Sequence, residues 1–165
     1  MTNDDSRPEL HGVSGWLGFL VVVLGILSPA RMLIHAVGNI REIAILGQML
    51  GPNTSTYIPF SWGLVAVSAA GSIFLAYRLL AVHRWSSVGI VITGLWCLAL
   101  LPSLIDAVVS SILFPEFAGA MIPEALSSAA RSSISAALWT AYLVKSKRVA
   151  NTYITDADET RRVFG

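Results

Sequence analysis

Charge is scarce in this chain, and so is cysteine. Charged residues fill 13% of its 165 positions, about half the ~25% usual in soluble domains. The one cysteine, Cys97, has no partner in the chain. A disulfide framework is therefore excluded, and the residue reads as a small apolar packing group. His11, His35 and His83 are scattered, and no spacing of His, Cys or carboxylates fits a metal site. No paired carboxylates and no nucleophile with an adjacent base stand out, so the chain offers no catalytic motif and no cofactor site. The net charge is +1, and no basic patch with interleaved aromatics points to nucleic acid. A positive leader region is also missing. Residues 1–12 carry Asp4, Asp5 and Glu9 against Arg7 alone, which argues against a cleaved signal peptide.

Long apolar runs are present instead. Hydrophobic residues make up 55% of the chain, and the mean hydropathy is +0.68. Four runs dominate, at about residues 13–30, 60–82, 88–113 and 129–144. Each meets or approaches the ~20 apolar residues that cross a hydrocarbon core about 30 Å thick. In lipid the backbone must satisfy its own hydrogen bonds, so runs of this length predict spanning helices. The expected fold is all-α and polytopic. A tail at residues 1–12 precedes a four-helix domain at 13–145, and a second tail at 146–165 follows it.

Lys and Arg placement predicts the orientation. Four spans put both termini on one side with Arg7, Arg78, Arg84, Lys145, Lys147, Arg148, Arg161 and Arg162. Arg31, Arg41 and Arg131 fall on the other. A bias of eight against three places both termini in the cytoplasm. Trp16, Trp85 and Tyr142 then sit at the inner interface, and Tyr57, Phe60, Trp62 and Phe117 at the outer one. Trp96 and Trp139 lie deeper, where an indole N–H needs a partner.

The connections are unequal. Residues 83–87 join spans two and three tightly, so those helices should be antiparallel neighbours. Residues 31–50 return apolar side chains at every third or fourth position, with His35, Asn39, Arg41, Glu42 and Gln48 between them. That pattern predicts an amphipathic helix lying at the outer surface, or an extension of span one bent at Pro29. Gly51, Pro52 and Asn53 should stop it. The second outer connection, residues 114–128, is broken by Pro115 and Pro123, with room for a short turn of helix near residues 117–122.

Ionisable residues at the spans are the sharpest pointers to a site. Asp106 follows Val88 by eighteen positions, which at 1.5 Å each is about 27 Å along the third helix. Arg131 opens the fourth span and Arg31 ends the first, so both should lie at a similar depth. A structural cluster of Asp106 with Arg131 and Arg31 is expected. A shallow outward-opening ion or ligand site is the functional alternative. Pro102, four residues before Asp106, should kink its helix. Small residues in spans one, two and four, such as Gly25, Ser72 and Ala136, mark close helix packing.

Two motifs remain. Gly12, Val13, Ser14, Gly15, Trp16 and Leu17 stand before span one, followed by Leu24, Gly25 and Pro29. Past span four come Ser146, Lys147, Arg148, Val149, Ala150, Asn151, Thr152 and Tyr153. Lys145, Lys147 and Arg148 put positive charge where a helix C-terminus is partly negative and the cytoplasmic leaflet anionic. Together with Asn151 they form a candidate cytoplasmic anchor or docking surface. Over residues 12–153 the chain resembles a family of small bacterial inner-membrane proteins, catalogued as domain of unknown function twenty-five sixty-nine. Its members share the Gly-Trp-Leu opening and a Ser-Lys-Arg-Val-x-Asn-Thr close, usually followed by Phe where this chain has Tyr153. The resemblance implies a four-helix protein of the bacterial inner membrane and supplies no activity.

With no chemistry of its own in view, the chain is expected to be an accessory or scaffolding subunit of a larger membrane assembly. Its partners are then the lipid bilayer and a membrane protein or a second copy of itself. The alternative is a small oligomeric transporter or channel, since four helices alone enclose little space.

Overall fold

The computed structural model describes residues 15–153, apart from the side chains of residues 44, 46–50, 147, 148 and 151. Of the expected tails, residues 1–12 lie outside the described residues, as does the second, 146–165, from residue 154 onward; its earlier part is helical over Lys147–Thr152. The fold is all-α. Helix α1 covers Trp16–Val22, a π-helical turn covers Val23–Leu27, and α2 covers Ser28–Leu50. Helix α3 covers Thr54–Ala81 and α4 covers Trp85–Leu113. A 3-10 turn at Pro115–Phe117 leads into α5, Ala118–Lys145, and α6 covers Lys147–Thr152.

Three stretches are long and apolar enough to cross a membrane: Trp16–Ile43, Thr54–Ala81 and Trp85–Leu113. The chain is therefore a multi-pass membrane protein. The expected fourth span, residues 129–144, lies within α5, which reaches eleven residues further back than its apolar run. Glu124, Arg131 and a run of serines and alanines keep α5 less apolar than the other three.

The amphipathic stretch at residues 31–50 is not a separate surface helix. It continues span one through the π-helical turn, with right-handed helical dihedrals at Val22, Val23, Leu27 and Ser28. Pro29 accounts for the turn. Ser28 N–H reaches back five residues to the Val23 carbonyl. In that register the Leu24 carbonyl would take its hydrogen from residue 29, and proline has none to give. The Ser72 hydroxyl on α3 fills the place, donating to the Leu24 oxygen at 2.7 Å in a fully buried setting. Ser72→Ala should strand that carbonyl and destabilise the protein by about 1–3 kcal/mol. Denaturant titration in micelles measures it, and an unchanged midpoint would remove the assignment. The first helix ends at Gly51, whose φ of 78° is open to glycine and strained for other residues.

Sequence neighbours are spatial neighbours. Helix α3 lies between the first helix and α4, and α5 runs along α4. The Trp96 indole donates to the Thr140 hydroxyl at 3.2 Å, tying α4 to α5 at the depth where a partner is needed. Phe19 meets Trp139 with ring centroids 6.0 Å apart and brings α1 to α5. Lipid removes the hydrophobic force between helices, so close approach has to supply the attraction. Gly94 shows how close: a Cβ there would stand 2.5 Å from Leu75 Cδ2. The main apolar core is gathered in the half of the bundle nearest the α3–α4 turn, around Leu17, Leu20, Leu79, Val88, Val91 and Leu143.

Candidate functional site

Polar side chains collect at the two ends of the bundle. The first cluster lies where α2 turns into α3 and α4 ends. Asn53 Nδ2 donates to the Leu113 carbonyl at 2.8 Å, capping one of the last carbonyls of α4. One turn into α3, the Tyr57 hydroxyl donates to Asp106 Oδ1 at 2.9 Å. Tyr57 is held by its neighbours: it meets Phe114 edge-on at 5.8 Å and Phe60 at 6.2 Å. Phe114 itself is buried. Serines on α4 turn inward on their own helix. Ser110 donates to the Asp106 carbonyl at 2.6 Å and Ser111 to the Ala107 carbonyl at 2.6 Å, the habit of hydroxyls in apolar helices.

The expected Asp106–Arg131 pair does not form. Arg131 binds Glu124 instead, at 3.0 Å, on an exposed face of α5 with side chains 68% and 75% exposed. Two turns of one helix suffice to bring those partners together, whereas Asp106 would require Arg131 to leave water. Arg31 is exposed on α2 and joins neither contact. Asp106 is half-buried with a tyrosine hydroxyl as its partner and no arginine. Sequence reasoning placed Tyr57 in the aromatic belt and missed this role. A hydrogen bond across 49 residues leaves no local signal.

The second cluster lies at the opposite end, around the α3–α4 turn. The closing motif folds back there as α6. Ser146 caps it, its side chain accepting from Val149 N–H at 3.5 Å. Val149 and Tyr153 are buried to within 1%. The Tyr153 hydroxyl donates to the Leu79 carbonyl at 2.8 Å, one of the last carbonyls of α3 and without a helical partner of its own. Its ring stacks on His83 at 5.9 Å. Burial pushes the Tyr153 hydroxyl up to about 12, so it stays a donor at any physiological pH. Of the expected docking residues, Lys145 is exposed in the last turn of α5. Lys147, Arg148 and Asn151 lie on α6, but their side chains fall outside the described residues. What the motif visibly does is anchor itself, through Val149 and Tyr153.

These features define a multi-pass helical membrane protein in which α6, the last helix among the described residues, is held at the α3–α4 turn through Tyr153. The chain belongs to the family described as Protein of unknown function (DUF2569), whose sequence profile matches residues 10–154. That match closes one residue beyond the buried Tyr153. No curated protein and no solved structure matches the chain.

Proposed function

We propose that the chain is an accessory or scaffolding subunit of a larger assembly in the bacterial inner membrane, with four spans and both termini cytoplasmic. The observation that carries this reading is the length and outer surface of the first helix. Ile45 stands twenty-nine residues after Trp16 on one continuous helix, about 44 Å along it at 1.5 Å per residue. That exceeds a hydrocarbon core of about 30 Å. Yet Ile45 is 79% exposed. An apolar side chain held past the lipid on a helix this long supports a seat for a partner there. Helix α5 serves as the fourth span: its 28 residues match the length of α3, and it runs along α4.

Purification from native membranes under mild detergent tests the reading, with a photo-crosslinking residue placed at Ile45. A stoichiometric larger complex, crosslinked through that residue, is the expected result. A free homo-oligomer that conducts a solute in liposomes would overturn it. The second reading, a small oligomeric transporter, draws on Asp106, a half-buried carboxylate whose partner is a tyrosine and not a cation. The eight-to-three Lys/Arg bias sets the expected topology. A reporter active only outside the cytoplasm should be silent when fused at Gly165 and active when fused at Asn53. The reverse pattern would invert the protein.

A further inference from the structure

The core of the bundle changes character along its length. On α4 the stripe that faces its neighbours runs through Val91, Leu95 and Ala99, all buried, and then Asp106 and Ser110. On α3 it runs through Leu79, Leu75, Ser72 and Ser68, and then Ser61 and Tyr57. Steps of three, four and seven residues keep each set on one helix face. The half nearest the α3–α4 turn is therefore largely apolar. The half nearest the α2–α3 turn gathers hydroxyls around one carboxylate. Asp106 Oδ1 accepts from the Tyr57 hydroxyl at 2.9 Å. Ser61, one turn along α3, stands within reach of that same hydroxyl. Ser103, one turn before Asp106 on α4, is half-buried. Ser110 and Ser111 spend their hydroxyls on carbonyls of α4, and among the described residues Ser103 makes no such bond.

The second carboxylate oxygen is open. Asp106 is half-buried, yet its Oδ2 bonds to none of the described residues. It is not one of the sealed atoms without a partner, which are Arg78 Nε and Ser87 Oγ at the other end. A small ligand can therefore reach it. Asp106 lies seven residues before the end of α4, and Tyr57 three residues into α3, about 10 Å and 5 Å from those helix ends. A carboxylate in an apolar bundle is costly until its charge is balanced. The arginines described on the flanking helices are placed otherwise: Arg131 binds Glu124, and Arg31 and Arg41 are exposed on α2. One carboxylate balances one positive charge, and a divalent ion would keep a net charge in the same setting. Carboxylate and hydroxyl oxygens are the ligands that hard cations take. The phenol that donates to Oδ1 keeps lone pairs of its own to coordinate with. We propose that Asp106, Tyr57, Ser61 and Ser103 form a binding site for a monovalent alkali cation, entered from the α2–α3 end. The site requires neither reading of the function, because a subunit and a transporter alike can hold an ion, and the Ile45 crosslink is indifferent to it.

The test uses the full chain in uncharged detergent micelles. Its melting temperature is followed while sodium, potassium or N-methylglucamine chloride is added at matched ionic strength. Sodium or potassium should raise it saturably, and N-methylglucamine should not. Asp106→Asn should fold as well as the wild type and lose the response. Ser103→Ala should shift its half-saturation about tenfold upward. Glu124→Gln, which removes an exposed carboxylate of α5, should leave the response unchanged. Equal melting temperatures of the wild-type chain in the three salts overturn the proposal without reference to any variant. So does a response that survives in Asp106→Asn. If acid alone stabilises the wild type, with sodium and potassium silent, a proton balances the carboxylate and the cation site fails. A response to calcium that exceeds both monovalent ions overturns the assignment of charge.

Discussion

Tyr153→Ala should release α6 from the bundle and lower stability by about 3–5 kcal/mol, the usual cost of emptying a buried aromatic site. The ring is 1% exposed, wedged against His83, and its hydroxyl caps the Leu79 carbonyl at 2.8 Å. Tyr153→Phe separates the two contributions. It keeps the ring and leaves the carbonyl without that donor, for about 1 kcal/mol. Phe is also what the family resemblance leads one to expect at this position, so the ring should matter more than the hydroxyl. Denaturant titration in micelles gives the two costs, and proteolysis within residues 147–152 reports release of the helix directly. If Tyr153→Ala costs no more than Tyr153→Phe, the ring is not seated as described. The hydroxyl also makes a prediction about pH. Its value in the folded protein is raised to about 12 from an ordinary 10.0, with burial as the cause. A raised value means that the neutral form is favoured by folding. The stability it contributes is full below pH 10 and is lost as pH rises toward 12. Tyr153→Phe should flatten the alkaline limb of the stability curve over that window.

The parts of this molecule that were legible in its sequence are those governed by short-range rules. Helical class followed from run length and lipid thickness. The stop at Gly51, Pro52 and Asn53 followed from turn chemistry, and the structure places a glycine with a φ of 78° there. The need of Trp96 for a partner followed from its indole N–H, although Thr140 could not be named in advance. The misreadings share a different cause. Of the two readings of residues 31–50, a surface helix and an extension of span one, the structure follows the second, and a π-helical turn lets that span run through Pro29 without stopping. Ser72, 48 residues beyond Leu24, makes that possible by serving the stranded Leu24 carbonyl. The Asp106 pairing failed for the same reason. Depth along a helix can be counted from sequence, but which neighbour faces a residue cannot. Glu124 lies seven positions from Arg131 on the same helix, so it reaches the guanidinium without help from tertiary packing. In the closing motif a sequence displays charge, Lys147 and Arg148, ahead of burial. Its anchoring falls to Val149 and Tyr153, whose burial depends on where α6 lands.

Tyr57→Phe should cost about 1.5–3 kcal/mol, because it leaves a half-buried carboxylate without its donor. The bond it removes is the 2.9 Å contact between the Tyr57 hydroxyl and Asp106, and the ring itself remains packed on Phe114. Asp106→Asn should behave differently. The amide oxygen still accepts from Tyr57, and a charge has left an apolar setting, so stability should hold or rise. Removing both partners, as Tyr57→Phe with Asp106→Leu, should recover most of the loss, since a matched apolar pair leaves nothing unsatisfied. A double-mutant cycle in micelles measures the coupling. The same cycle run on Asp106 and Arg131 should return additive effects, because Arg131 spends its charge on Glu124 in water, where such pairs contribute about 0–1 kcal/mol. Coupling between Asp106 and Arg131, with none between Asp106 and Tyr57, would contradict the arrangement. The result also bears on function. If Asp106→Asn is as stable as the wild type but impairs the native assembly or any flux, the carboxylate is retained for its charge and the transporter reading gains. If Asp106→Asn is silent in both, Asp106 serves only as the acceptor that fixes Tyr57 between α3 and α4.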